Sequence, residues 1–381
     1  MSLDPIPAVW TDDPHPVYRR LREEHPLHYL EERDLWVLSR HADLRAAIRD
    51  PETWSSTQGV VPNGFVPAKP TLIVMDAPDH ASMRNAVNRA FTPRRIDLLA
   101  PRIRRFAQSL VDSFPAEGEL DAFAAFTDPL PLLVMAELLG VDPEQHEMFK
   151  RCGDAIVYAS DNPPEVLRTA ETELTDHLSE VFAQRRRQPR EDLISVLLHA
   201  SPEGAALSDD DLLGLCFLLL VAGTETTTSA LGNAILLLDR YPEARSRLVA
   251  DPSLVASACE EILRFDSPVQ GLSRVATRDV EMHGRTIPKG ARVHLLFAAA
   301  NRDPRAFEEP ERFDIERRDN HHFAFGFGVH FCLGASLARM ELRIGIEEFL
   351  RRAPDYTVRR AGVERLRSDT NRGFRQLPVS L

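Results

Sequence analysis

Residues 325–334 read Phe325-Gly326-Phe327-Gly328-Val329-His330-Phe331-Cys332-Leu333-Gly334. Three glycines within nine residues let the backbone turn tightly and approach a neighbour closely. Directly downstream, Leu337, Met340, Ile344 and Phe349 recur at helical spacing across 335–351. That pattern predicts a helix whose N-terminus lies beside Cys332, where free amide groups and the macrodipole favour thiolate. A thiolate is a nucleophile or a metal ligand. His330, two residues away, is a candidate base for the first role and keeps a cysteine hydrolase open. Catalytic Cys–His pairs, however, are usually brought together across a fold, and a lone cysteine is most often a small inert hydrophobe.

The surrounding chain has 381 residues, 43% hydrophobic and 27% charged, the balance of a folded protein. A net charge of −12 argues against general nucleic-acid binding, which needs basic surface. Only Lys69, Lys150 and Lys289 are lysines; the remaining basic residues are arginine. The four cysteines, Cys152, Cys216, Cys259 and Cys332, form no CxxC pair, so neither a zinc framework nor a disulfide scaffold is expected. The first residues lack the basic flank and apolar run of a signal peptide. The longest apolar stretch, 212–223, falls short of the roughly 20 residues that cross a bilayer. The expectation is a soluble, cytoplasmic protein.

Helical spacing is found at 14–24, 41–49, 78–90, 93–114, 130–139, 143–158, 164–187 and 191–200. Strand signals are short: 27–29, 35–38, 280–282, 292–296 and 356–359. The segment 55–71, rich in Pro and Gly, reads as a long loop of the kind that carries function. A single mainly-α domain spanning 1–381, with small β-sheets, is the expected architecture. Its centrepiece is the segment 208–240, which would run about 50 Å as one helix. Residues 212–221 are apolar all round and predict burial on every side. The pattern then breaks at Gly223-Thr224-Glu225-Thr226-Thr227-Thr228-Ser229, poor helix material whose burial is costly without partners. A kink with hydroxyls bonded back to carbonyls is one outcome. A groove where a ligand approaches, with Glu225 and Thr226 handling protons, is the other.

The run 325–334 resembles the haem-binding loop of the cytochrome P450 monooxygenases, whose cysteine thiolate ligates haem iron. Other segments match in order. Ala222-Gly223-Thr224-Glu225-Thr226-Thr227 resembles the family's oxygen-activating motif, with glutamate where aspartate also occurs. Glu261-Ile262-Leu263-Arg264 resembles its ExxR pair. Asn301-Arg302-Asp303-Pro304, with Phe307, Pro310, Phe313 and Asp314, resembles the stretch leading to the cysteine loop. His80 and Arg84 match the propionate-binding helix of bacterial members. The likeness runs from about residue 10 to the end.

That resemblance implies the following roles. Cys332 ligates the iron of haem b, with Phe325 shielding the sulfur and the Gly334 amide bonding it. His80, Arg84, Arg274 and His330 meet the propionates. Glu261 and Arg264 form a structural ion pair. Thr226 donates a hydrogen bond to dioxygen, and Glu225 feeds protons from solvent. An apolar pocket is drawn from Val60, Val61, Phe65, Leu219, Ala222, Gly223, Val269, Leu272 and Phe374. The expected partners are O2, an apolar small molecule, and a ferredoxin or flavodoxin with its reductase, with no nucleic acid or membrane and a monomeric state. Between Arg84 and Arg105 lie seven arginines against one aspartate, a candidate face for an acidic electron carrier. A peroxide-driven oxidase and a haem-holding sensor without turnover are the alternatives within the fold.

Overall fold

Ser208 opens the helix Asp209–Arg240: its hydroxyl accepts from the Asp211 amide while the Asp211 carboxylate caps the Ser208 amide. In the computed structural model, which describes residues 3–67, 71–89, 91–157, 162–199 and 207–381, this helix runs unbroken through Gly223–Ser229. Tertiary contacts carry the weak stretch. A Cβ on Gly223 would stand 2.8 Å from Met135 Cε, and one on Gly345 would stand 2.5 Å from Leu231 Cδ2, so both glycines permit close helix packing. The helix is long and apolar enough to cross a membrane, but 61% of its most apolar window is buried within the fold. It is a core helix.

Pro129–Leu139, His146–Val157 and Pro164–Arg187 pack on one part of the central helix. Ala335–Arg352 packs on another and also touches Ala100–Asp112 and Val255–Phe265. A five-stranded sheet runs in the order Leu27–Leu30, Leu35–Leu38, Arg292–Leu295, Leu272–Ala276, Trp54–Ser55. Its only parallel pair joins Leu35–Leu38 to Arg292–Leu295. Strand Leu272–Ala276 was not foreseen because Arg274 interrupts its apolar run. The expected helix 93–114 is two, Pro93–Asp97 and Ala100–Asp112, broken just before Pro101, whose ring disfavours helical continuation. Residues 68–70, 90, 158 and 200, parts of an expected loop and three expected helices, lie outside the described residues.

The irregular segment between Asn301 and Asn320 is organised by two residues on the helix Val255–Phe265. Glu261 and Arg264 are both 0% exposed and meet through two 2.7 Å bonds. Arg264 also donates to the carbonyls of Asn301 and Pro310 (both 2.9 Å) and Arg312 (3.3 Å). Glu261 accepts from the Asp314 amide (2.9 Å), the Arg317 guanidinium (3.1 Å) and Asn320 (3.3 Å). Removing one member leaves the other charge buried and uncompensated. Glu261→Ala is therefore expected to cost about 3–5 kcal/mol, whereas Arg312→Ala, at an exposed ion pair with Glu309, should cost at most about 1 kcal/mol. Circular-dichroism melting of the two variants checks the contrast.

Candidate active site

The cysteine loop turns where left-handed backbone is required, at Gly326 (φ +66°) and Gly328 (φ +69°). At Gly328 a Cβ would also meet the Ile48 carbonyl oxygen at 2.9 Å. The Cys332 amide donates to the Phe325 carbonyl at 2.9 Å, closing the loop. The Arg339 guanidinium lies 4.4 Å from the centre of the Phe325 ring. Burial pushes the Cys332 thiol up; the Gly334 amide, Arg84 and Arg339 pull the other way. The helix-terminus expectation of a lowered thiol is thus outweighed by burial, and coordination to a cation is what removes such a proton outright. Cys152 and Cys216, pushed by burial to about 11 and about 12, are inert core thiols.

Four basic side chains converge beside this loop. The His80 and His330 rings stand 4.2 Å apart. His330 Nε2 lies 3.2 Å from Ser56 Oγ, while His80 Nε2 is buried with no partner among the described residues. Arg84 donates to the Phe331 carbonyl (2.7 Å), and Arg274 is buried with one bond to the Ser273 carbonyl (2.7 Å). His330 is pushed down to about 3 by burial and then by Arg274, His80 and Arg84. Burial lowers Arg274 to about 10, with Asp76 alone opposing. Such a cluster calls for an anion. The two propionates of a haem fit it, and a Cβ added to Gly334 would touch nothing within 4 Å among the described residues, so that face is open to a flat group. No hydrogen bond joins His330 to Cys332 among the described residues; the histidine turns to Ser56 and His80 instead, which removes the pairing a cysteine hydrolase needs.

On the central helix, Ala222 is exposed between the buried Leu220 and Thr224. Thr226 donates its hydroxyl to the Ala222 carbonyl at 2.6 Å. The Glu225 carboxyl is pushed up by burial, and the nearby Asn371 side chain opposes the shift. Of the pocket candidates, Val60 and Leu219 are buried, and Val61, Val269 and Leu272 are half-buried. Three others sit differently from expectation. Phe65 is 65% exposed. Gly223 turns its open face to Met135. Phe374, 3% exposed, packs its ring into the core against Gly232 beneath the Arg365 guanidinium.

Residue-by-residue reading gave Asn371 no role beyond bounding the C-terminal loop that runs to Phe374. It missed Glu341, inside the helix that follows the cysteine loop. Glu341 is fully buried with its carboxyl raised well above the usual range by burial. Its Oε2, like the hydroxyls of Thr224 and Thr228, has no partner among the described residues.

The family model described as cytochrome P450 matches residues 143–353. A putative cytochrome P450 123 of Mycobacterium tuberculosis is 38% identical, across all of this chain and 97% of that protein. A vitamin D(3) 25-hydroxylase of Pseudonocardia autotrophica is 39% identical, across 99% and 96%. The solved polyketide-synthase cytochrome P450 PksS of Bacillus subtilis superposes with a TM-score of 0.90 at 35% identity, covering 97% of this chain and 96% of that one. The chain belongs to the cytochrome P450 family. As a cytochrome P450 it is a haem b enzyme and a monooxygenase. The basic cluster gives a measurable consequence. Haemin titrated into the apoprotein, followed at the Soret band, should bind Arg274→Leu at least about tenfold more weakly than wild type, the loss of about 1.4 kcal/mol or more.

Proposed function

We propose that this cytochrome P450, a single haem domain, inserts one atom of O2 into an apolar small molecule, by hydroxylation or epoxidation. Cys332 would ligate the haem iron, and His80, Arg84, Arg274 and His330 would hold the propionates. The observation that carries this reading is a half-buried cysteine beside four basic side chains opposed by one carboxylate, Asp76. When bound, a haem ligated by the Cys332 thiolate would supply the electron density that favours O–O cleavage. The chain's own residues do the rest. Ala222 and Thr226 lie one turn apart on the central helix; the Thr226 hydroxyl donates its proton to the Ala222 carbonyl, so that bond must break before the hydroxyl can donate to dioxygen. Glu225, one residue earlier and half-buried, carries protons inward.

The apolar character of Val60, Val61, Leu219, Val269 and Leu272 supports an apolar substrate. So do the names of relatives: a vitamin D(3) hydroxylase, and a Bacillus megaterium neighbour solved with testosterone and with corticosterone. Electrons are proposed to come from a ferredoxin or flavodoxin with its reductase. Phe327, Val329 and Phe331 are exposed on the cysteine loop. Arg45 and Arg49 lie over the Phe327 ring, at 5.9 and 5.2 Å. Arg94 and Arg95 are also exposed, whereas Arg102 pairs with Glu137 and Arg104 with Glu347 and Glu348, which reduces the free charge of that segment. The protein is proposed to act in the cytoplasm as a monomer.

The ligand assignment is tested by spectroscopy. The reduced carbon monoxide complex should show the long-wavelength Soret band of thiolate ligation, and Cys332→His should move it to the imidazole position; an imidazole-like band in fresh wild-type protein rejects the assignment. Proton delivery is tested with two further variants. Thr226→Ala should keep consuming oxygen while product falls and hydrogen peroxide accumulates, and Glu225→Gln should slow oxygen consumption itself, each by about tenfold or more. Wild-type rate and coupling in both variants removes these residues from the mechanism.

A further inference from the structure

After Trp54–Ser55, the edge strand of the five-stranded sheet, the chain runs from the basic cluster out to solvent. The Ser56 amide donates to the Asp76 carboxylate at 3.0 Å, and the Ser56 hydroxyl lies 3.2 Å from His330 Nε2. Four residues on, the Val60 carbonyl accepts from the Ser273 amide at 2.6 Å, which sets Val60 beside the strand that carries Leu272 and Arg274. The Gly64 amide then donates to the Val61 carbonyl at 3.0 Å and closes a turn. Phe65, at its outer end, is exposed.

One side chain of the sheet reaches into this loop. Arg292, on strand Arg292–Leu295, donates from its two terminal nitrogens to the carbonyls of Gly59 (2.9 Å) and Gln58 (2.8 Å). The loop is shaped around the guanidinium. A Cβ on Gly64 would stand 2.7 Å from Arg292 Nη2, and one on Gly59 would stand 2.3 Å from the Phe65 carbonyl oxygen. Both glycines have left-handed backbone, at φ +76° and +87°. Arg104, Arg302 and Arg339 each meet a carboxylate. Arg292 meets none among the described residues, and burial alone lowers its proton affinity. Its charge goes to the loop backbone, and charge-assisted bonds of this kind are about twice as strong as neutral ones.

Another wall of the proposed pocket is held by many bonds. Val269 forms an isolated antiparallel bridge with Asn371, and the Arg372 amide donates to the Pro268 carbonyl at 2.7 Å. The Arg372 side chain, 2% exposed, is bonded to Asp266 (2.8 Å) and to the carbonyls of Val9 (2.6 Å), Thr11 (2.7 Å) and Asp12 (2.8 Å). Between Gln58 and Val61, by contrast, Arg292 is the one side chain bonded to the backbone among the described residues. We propose that Arg292 is a positioning residue for substrate selectivity: by clamping the Gln58 and Gly59 carbonyls it fixes Val60 and Val61 as a wall against which an apolar substrate packs. This rests on the reading that Val60 and Val61 line the substrate pocket. An apolar wall contributes to binding only while it touches the ligand, since a gap of about 0.5–1 Å already forfeits much of the contact energy. A loosened loop therefore weakens large apolar ligands and leaves small ones as they were.

The experiment is an optical titration of the ferric holoenzyme with two azoles that ligate haem iron, imidazole and 1-phenylimidazole. Only the second carries an apolar ring that extends into the proposed pocket. Arg292→Leu should weaken 1-phenylimidazole by about fivefold or more while imidazole changes by less than about twofold. Hydrogen exchange over residues 56–66 should rise, and exchange over 272–276 and the carbon monoxide band should stay as in wild type. An unchanged ratio of the two affinities overturns the proposal, as does an equal loss of both azoles, the mark of general damage to the haem site. Should Arg292→Leu not fold, Arg292→Gln, whose shorter side chain does not reach the two carbonyls, decides by the same ratio. Val60→Ala separates the clamp from the pocket it serves. If that variant binds both azoles as wild type does, the pocket reading fails and the inference with it; if it weakens 1-phenylimidazole while Arg292→Leu does not, only the clamp fails.

Discussion

A bidentate ion pair without access to water, Glu261 with Arg264, is the constraint on which the remainder of the site depends. Between Asn301 and Phe323 the chain adopts no helix or strand. A segment of that kind leaves its backbone groups without ladder partners and would ordinarily stay in solvent. Here side chains supply the missing partners. Arg264 gathers carbonyls at 301, 310 and 312, Glu261 gathers the 314 amide, and Arg302 donates twice to the Phe265 carbonyl, at 3.0 and 2.6 Å. Asn301 then accepts from the Phe323 amide at 2.7 Å, which fixes the point from which the cysteine loop departs. Charge buried on one helix thus sets the position of a sulfur far along the chain.

The basic cluster works in the opposite sense. Burial with Arg84 and Arg274 holds His80 and His330 below the usual imidazole range, and the buried Arg274 loses hydration, with Asp76 the one carboxylate acting against these shifts. The protein without its dianionic cofactor therefore carries an unfavourable local term, and binding removes it. A group that binds only the folded chain stabilises it by mass action, so cofactor affinity and fold stability are linked at these four side chains. The same argument explains why a buried His80 Nε2 without a partner is tolerable: its position is set by a function other than packing.

Features written in local spacing were legible before any coordinates. The glycine–cysteine loop and the ExxR pair each lie within a few residues, and each is present in the structure. What depends on distant partners was not legible. Strand Leu272–Ala276 exists because Leu35–Leu38 and Trp54–Ser55 build the sheet around it. The direction of Phe374 is decided by the gap at Gly232, and the tilt of the Cys332 thiol toward its neutral form by how deeply the loop is buried. Pro101 did carry a readable signal: a proline so close to Leu98–Leu99 was enough to divide the helix expected over 93–114. Asn371 had none, since an asparagine in a loop most often serves its own turn.

Arg372 also bears on how the molecule is assembled. Its guanidinium reaches back across 363, 361 and 360 residues to the carbonyls of Val9, Thr11 and Asp12. On the ribosome residues 9–12 emerge long before Arg372, so they cannot dock on it until residue 372 has been synthesised. Contacts of such sequence separation carry the largest loop-closure cost and form late. The loop 370–373 and residues 9–12 are thus among the last parts of the fold to lock, and they become ordered in a single step.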